Sequence, residues 1–297
     1  MSGGTAPHAD GVASIDGALF ALADARVPAL DRGFLYGDAV FEALRTFRGE
    51  PDALDAHLAR LFRSCEIVGI APPFSREVLA SEVRAAIAAV PSPERYVRIM
   101  ISRGDSPHAL APLGPHHPRR VVLVRPLHAQ PPGLYQRGVR VTSAVAPPSA
   151  LSAGAKPSAY LANMLAIAAA SRAGADDALL LGAAGELLEG ATSSVFLVRA
   201  GQLLTPPLSL GILPGITRER VWSAAVALGL PVCERLLTIH DAYRADELFL
   251  TSSVRQVVGI VDVDGMRIGG GVPGPVTLRV DAAYRAALGL DHHRAAG

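Results

Sequence analysis

One lysine, Lys156, stands among the 28 Lys and Arg residues of this 297-residue chain. An arginine stays protonated in a protein, whereas a lysine ammonium loses its proton when it is buried or crowded by charge. The neutral amine can then attack a carbonyl carbon and form a Schiff base. A chain that writes arginine nearly everywhere else and keeps one primary amine points to that chemistry. General drift toward Ala, Gly, Pro and Arg is the competing reading, so the rest of the sequence has to decide between them.

Three further segments converge on an anion-binding cofactor. In LGILPGITRERVWSAAVALG, residues 210–229, Pro214 and Gly215 form a turn and a helix starts at Ile216 or Thr217. Free N–H groups and the positive end of the helix dipole bind phosphate there, and Thr217 adds a hydroxyl. Taken alone, this is also an ordinary helix N-cap. In GELLEGATSSVF, residues 185–196, Glu189 precedes Gly190, where backbone can pack closely against a ligand. A carboxylate against a pyridine nitrogen keeps that nitrogen protonated and makes the ring an electron sink. Taken alone, Glu189 is also a surface carboxylate at a hairpin end. In DELFLTSSVRQVVGIVDVDG, residues 246–265, Thr251, Ser252 and Ser253 close a buried strand. Taken alone, they are also a hydroxyl-rich turn.

These segments need elements to position them. Half the residues are apolar and 19% are charged, which allows a substantial core and excludes general disorder. Residues 1–14 and the last few residues read as disordered. A small α+β unit follows over 15–127: a hairpin at 19–27, a strand at 38–47, amphipathic helices at 55–68 and 75–90, and strands at 96–102 and 121–125. HAQPPGLYQRG, residues 128–138, reads as an interdomain linker. A larger unit occupies 139–290, with strands at 139–145, 178–181, 194–198, 203–204, 247–251 and 257–263. Its helices are expected at 163–173, 217–228 and 274–288. His116 and His117 read as part of a solvated Pro-rich loop rather than as metal ligands.

A net charge of +1 leaves no electrostatic footprint for nucleic acid or an anionic membrane. Cys65 and Cys233 lie far apart with no CxxC spacing, which argues for a reducing compartment and against structural zinc. The N-terminus carries no secretory pattern, and no apolar run is long enough to span a bilayer. The expectation is a cytoplasmic protein.

The ordered pieces DRGFLYGDAVFEALRTF, LDAHLARLF, AKPSAYLANMLA, GADDALLL, LLEGATSSVF, LLTPPLSLGILPGITRERV, ADELFLTSSV and DGMRIGGGVPGPVT run from about Asp31 to Leu288. In order and spacing they resemble the class IV aminotransferases, a family that includes branched-chain aminotransferases, D-amino-acid transaminases and 4-amino-4-deoxychorismate lyases. The resemblance implies the two-domain architecture of fold type IV enzymes, with a small α+β N-terminal domain and a larger pseudo-barrel C-terminal domain. It also implies pyridoxal 5′-phosphate as cofactor and a homodimer.

By the same resemblance Lys156 is the Schiff-base lysine and the proton carrier. Tyr160 bonds the cofactor's phenolic oxygen, Glu189 its pyridine nitrogen, and Arg60, Ile216, Thr217 and Ser253 its phosphate. Amine, carboxylate, guanidinium, helix N-terminus and hydroxyls are what a phosphorylated pyridine aldehyde requires. Substrate contacts are expected at Tyr36, Phe41, Arg98, Arg103, His108, Thr251 and Ser252. The chain departs from the family where Ala159 and Ser194 replace frequent asparagines. It departs again where RGDSPHAL puts His108 and Leu110 in place of the Arg and His that trap a carboxylate in D-amino-acid enzymes. The implied reaction moves an amino group from a small-molecule amino acid or amine to a 2-oxo acid by a ping-pong route. The donor is a branched-chain or aliphatic L-amino acid, a D-amino acid or an amine. The alternative is a lyase that releases pyruvate from 4-amino-4-deoxychorismate without an acceptor.

Overall fold

The computed structural model describes residues 9–105, 110, 116–131, 133–146 and 153–290. The chain divides into two compact units, Met1–Ala129 with Ala155–Ala159, and Gln130–Gly154 with Tyr160–Gly297. The second crossing has no counterpart in the sequence expectation of one linker at 128–138. It carries the five residues around Lys156 back to the first unit.

The first unit contains β1 (Val12–Ile15), β2 (Ala18–Ala21), α1 (Arg32–Tyr36), β3 (Ala39–Phe47), β4 (Glu50–Pro51), α2 (Leu54–Val68), α3 (Arg76–Ala88), β5 (Arg95–Asp105) and β6 (His117–Pro126). Its strands form one antiparallel sheet in the order β2-β1-β6-β5-β3-β4. Two-residue alternation decides which face of each strand is buried. Val40, Glu42, Leu44 and Thr46 of β3 are fully buried on one face, beside Val97, Ile99 and Ile101 of β5. The helices cover that face. Leu54, Leu58, Leu61 and Cys65 of α2, and Leu79, Val83, Ala86 and Ile87 of α3, follow helical spacing and join the same apolar cluster. α2 stops at Gly69, whose φ of 70° suits the left-handed C-cap. α3 starts at Ser75, whose hydroxyl accepts from the Val78 N–H.

Three sequence expectations need correction here. The span 1–14 reads as disordered, yet β1 begins at Val12, pairs with both β2 and β6, and is buried throughout. The first hairpin lies at 12–21 rather than 19–27, because Asp16-Gly17 adopts positive φ values of 51° and 92° and closes β1 onto β2. His117, expected in a solvated loop, opens β6.

The second unit runs through α4 (Leu134–Arg137), β7 (Val139–Val145), α5 (Leu161–Arg172), β8 (Asp177–Leu181), β9 (Leu187–Gly190), β10 (Ser194–Arg199) and β11 (Gln202–Thr205). It continues with α6 (Ile216–Ala227), β12 (Val232–Glu234), α7 (Ile239–Tyr243), β13 (Glu247–Ser252), β14 (Gln256–Val263), β15 (Met266–Arg267) and α8 (Pro275–Ala287). The strands order as β12-β11-β10-β13-β14-β7-β8-β9, with β15 on β14.

Alternate side chains feed separate cores. Val195 and Leu197 of β10, with Leu248 and Leu250 of β13, enter one cluster. Phe196, Val198 and Phe249 enter another, beneath α6 and α8. Leu187 of β9, at one end of the sheet, and Leu204 of β11, next to the other end, meet in the first cluster, so the sheet curls around it. A third cluster packs α5 on β8 through Ala166, Ala170, Ala178 and Leu180. Among the described residues no helix is long and apolar enough to cross a membrane.

Candidate active site

In the first unit Lys156 sits on a segment hydrogen-bonded along β3. The Phe41 N–H donates to the Lys156 carbonyl at 2.9 Å, and the Ser158 N–H donates to the Ala39 carbonyl at 2.7 Å. Val40 and Pro157 face each other across this bridge. The Lys156 N–H donates to Ser64 Oγ on α2 at 3.2 Å. The backbone that carries the amine is therefore fixed from a strand and a helix at once. Its Nζ lies 4.7 Å from the centroid of the Phe41 ring, and Arg98 Cζ lies 3.7 Å from the same centroid. Phe41 and Arg98 share a sheet face because Ala43 pairs with Arg98 and Phe41 with Met100. An amine and a guanidinium thus meet on one aromatic ring, within the range of cation–π attraction.

Arg60 lies one helical turn before Ser64 on α2. Its Nε and Nη2 donate to Glu42 Oε1 and Oε2, each at 2.7 Å, and His57 Nδ1 lies 2.7 Å from Oε2. Glu42 and His57 are fully buried, and Arg60 is nearly so. Burial alone would push the Glu42 carboxyl up. The hydrogen bonds from Arg60 and His57, with the Arg60 charge, outweigh it and bring the carboxyl down to about 2. Glu42 is therefore a carboxylate at neutral pH, an acceptor only, and His57 Nδ1 donates to it.

Two expected substrate residues of this unit make defined contacts within the protein. Arg103 donates from Nε to Asp38 at 2.8 Å, and from Nη1 and Nη2 to the Gly69 and Val68 carbonyls at 2.6 and 2.8 Å. All three nitrogens serve protein acceptors, so Arg103 closes the C-terminus of α2 and ties it to Asp38. Asp38 also accepts from Arg32. Burial raises the Asp38 carboxyl, but the two arginines hold it below the usual range. Tyr36 ends α1, half exposed, with Arg32 Cζ 5.0 Å from its ring centroid. His108 lies outside the described residues.

In the second unit Glu189 is half-buried on β9, paired across from Leu180, and its Oε2 accepts from the Leu213 N–H at 3.4 Å. α6 begins at Ile216 with Gly215 as N-cap and no side-chain cap. A Cβ at Gly215 would stand 2.6 Å from Ser194 Oγ, so only glycine lets the turn come this close to β10. Ile216 is half-buried and Thr217 buried at this helix start. Thr251 pairs with Ser194 across β10 and β13, so both hydroxyls share a sheet face. Thr251 is 2% exposed, and its Oγ1 has no hydrogen-bond partner among the described residues.

Ser253 lies in the turn between β13 and β14. That turn is pinned by an Arg255–Asp177 ion pair and by the Tyr135 hydroxyl, which donates to the Arg255 carbonyl at 3.2 Å. Ser252, expected to meet substrate, accepts from the Arg255 N–H through its Oγ at 3.3 Å, which shapes the turn. Tyr160 is half-buried at the N-cap of α5. The Gly154 N–H, two residues before Lys156, donates to the Gly211 carbonyl at 3.2 Å, just upstream of α6.

Sequence reasoning missed Glu42, His57 and Ser64. A signal existed for Glu42, a charge at a core-face position of β3 between Val40 and Leu44. The other two stand on the same face of α2 as Arg60, at three and seven residues' spacing from His57 to Arg60 and Ser64.

A family model described as "Amino-transferase class IV" matches residues 39–263. A D-alanine aminotransferase of Bacillus licheniformis is 29% identical over 273 residues, covering 92% of this chain and 95% of its own length. Among solved structures, the branched-chain aminotransferase of Thermoproteus uzoniensis with norvaline superposes with a TM-score of 0.85. It shares 31% identity, with 94% of this chain and 95% of that one covered. The branched-chain amino acid aminotransferase of Escherichia coli gives a TM-score of 0.86 at 28% identity, with 95% of this chain and 94% of that one covered.

Proposed function

The chain belongs to the class IV aminotransferases, and from that premise we propose that it uses pyridoxal 5′-phosphate, carried on Lys156, to move an amino group from a small-molecule donor to a 2-oxo acid. Transamination is the activity these relatives support, and they do not favour the lyase alternative. The observation that carries the assignment of Lys156 is its fixation. The only lysine of the chain is held by backbone bonds to Phe41 and Ser64, with its amine against the Phe41 ring.

The residues fit this cofactor. A buried Thr251 hydroxyl without a partner among the described residues and a helix start without a side-chain cap are polar groups that a phosphorylated ligand would satisfy. When bound, the cofactor supplies an electrophilic carbon for amine exchange and a ring that accepts the electron pair left at the substrate Cα. Glu189 would hold the ring nitrogen protonated, and Tyr160 would bond the phenolic oxygen. The Ile216 N–H, Thr217, Ser253 and Arg60 would hold the phosphate. Lys156 Nζ would take the proton from the substrate Cα and return it at the cofactor C4′.

For the substrate, Arg98 offers a guanidinium against the same ring as the lysine amine and Phe41 an apolar surface, which suits a donor with a carboxylate. Tyr36 and Thr251 would add further substrate contacts, as the resemblance to the family implies. We assign the chain to homodimers: Leu161, Met164 and Leu165 form an apolar stripe on α5 that is 68%, 62% and 59% exposed. Two free cysteines, one of them half-exposed, suit a cytoplasmic setting.

The test is an absorbance spectrum of the protein loaded with pyridoxal phosphate, with L-leucine, D-alanine and an (R)-amine added in turn. Transamination predicts a near-visible band that one donor bleaches and 2-oxoglutarate restores. Pyruvate release without any acceptor would instead identify a lyase.

A further inference from the structure

The first unit buries a charged group where an apolar one would pack as well. Glu42 lies on the core face of β3 between Val40 and Leu44, and Leu58 and Leu61 flank His57 and Arg60 on α2. A buried ion pair is weak support for stability, because desolvation offsets the attraction and apolar replacements often do as well. What such a group provides is orientation. The two Glu42 oxygens take the Nε and Nη2 edge of Arg60 in a bidentate fork, and His57 Nδ1 donates to the same Oε2 and so restrains the carboxylate further.

From this geometry we infer that Glu42 is a positioning residue for anion binding: it sets the guanidinium plane of Arg60, and His57 sets Glu42. The inference rests on the proposed role of Arg60 toward the cofactor phosphate. Arg60 is a long side chain with many rotamers. Locked by its fork, it needs no reordering when phosphate arrives. The same fork offsets its charge locally, so Arg60 contributes aimed donors more than net charge.

Charge and orientation predict opposite results, which makes the idea easy to overturn. Removing the Glu42 charge leaves Arg60 more cationic. If charge dominated, a Glu42→Gln variant would bind phosphate ligands more tightly. If Glu42 positions Arg60, binding weakens.

The experiment titrates pyridoxal phosphate into the cofactor-free full-length protein, for wild type, Glu42→Gln, Arg60→Met and the double variant. Glu42→Gln is expected to raise the dissociation constant roughly tenfold or more, the scale on which outer partners of metal ligands act. The double variant should be no weaker than Arg60→Met alone, because Glu42 acts only through Arg60. Unchanged or tighter binding by Glu42→Gln, or losses that simply add in the double variant, would overturn the inference. An Arg60→Met variant that binds like wild type would remove the phosphate role of Arg60 itself, a separate failure.

Should Glu42→Gln not fold by circular dichroism, Glu42→Asp keeps the charge and shortens the reach. It should also weaken binding and lower the Tm gain that inorganic phosphate gives the cofactor-free protein. His57→Asn, whose Nδ2 can stand in for the imidazole Nδ1, should stay closer to wild type than His57→Ala. Equal effects of the two His57 variants would contradict the role given to His57.

Discussion

The buried polar groups of the two units are finished to different degrees. In the first unit Glu42, His57 and Arg60 satisfy one another at hydrogen-bond distances of 2.7 Å inside an apolar cluster. In the second unit Thr251 is equally buried, yet its hydroxyl has no partner among the described residues, and α6 starts beside it without a side-chain cap. A polar group closed on itself makes a rigid scaffold, whereas one left open costs free energy until a ligand arrives. The first unit therefore fixes Lys156 and Arg60 in place, and the second leaves the Thr251 hydroxyl and the α6 helix start open.

The largest effect expected from either side is loss of the amine. Lys156→Arg keeps the charge and should lower kcat by roughly 10³-fold or more, as removal of a covalent group does, with little change in Tm. Single-turnover kinetics would check this, and residual activity within tenfold of wild type would contradict it. Next is Glu189→Gln in the second unit. It should cost roughly 10²-fold in kcat, and the absorbance band of the bound cofactor should shift with it. A change in KM alone would remove Glu189 from the chemistry.

These two residues also mark what the sequence discloses. Lys156 is legible because it is unique, and Glu189 because Gly190 follows it at the end of a short strand. α2 and α3 are legible from apolar spacing. Glu42 is legible only as a charge at a core-face position of β3, because its partners lie 15 and 18 residues away and nothing local joins them. The protein contacts of Arg103 are hidden for a related reason. Its acceptors are backbone carbonyls some 34 residues back in the chain, and carbonyls have no sequence signature. α7 escapes notice at five residues, although Thr238 and Asp241 form its capping box. The turn-shaping bond of Ser252 is hidden too, because hydroxyls that shape a turn and hydroxyls that bind look alike in sequence.

Acid should expose the closed side of the comparison. The folded Glu42 carboxyl, at about 2, lies below its ordinary 4.5, so its contribution is fully present above that ordinary value. It is lost as the pH falls from 4.5 toward 2, and on the order of a few kcal/mol is at stake. Asp38, also lowered, adds in the same direction. Urea melts across this window should show wild type losing stability more steeply than Glu42→Gln. Parallel curves would contradict the linkage.

The open side predicts the reverse pattern. Thr251→Val removes an unpartnered hydroxyl, so the cofactor-free protein should be as stable or more so, by up to about 1 kcal/mol. Binding of pyridoxal phosphate should weaken. A variant that loses stability without losing affinity would show that Thr251 belongs to the core. The smallest change is Ser64→Ala, which takes one acceptor from the Lys156 N–H and should cost about 0.5–1 kcal/mol, read as a lower midpoint in urea.

The most direct measurement is chemical. The protein loaded with pyridoxal phosphate is reduced with borohydride, digested and mapped by mass spectrometry. The account predicts one modified side chain, Lys156, and no labelling in Lys156→Arg. Label confined to the N-terminal amine, or none at all, would contradict it.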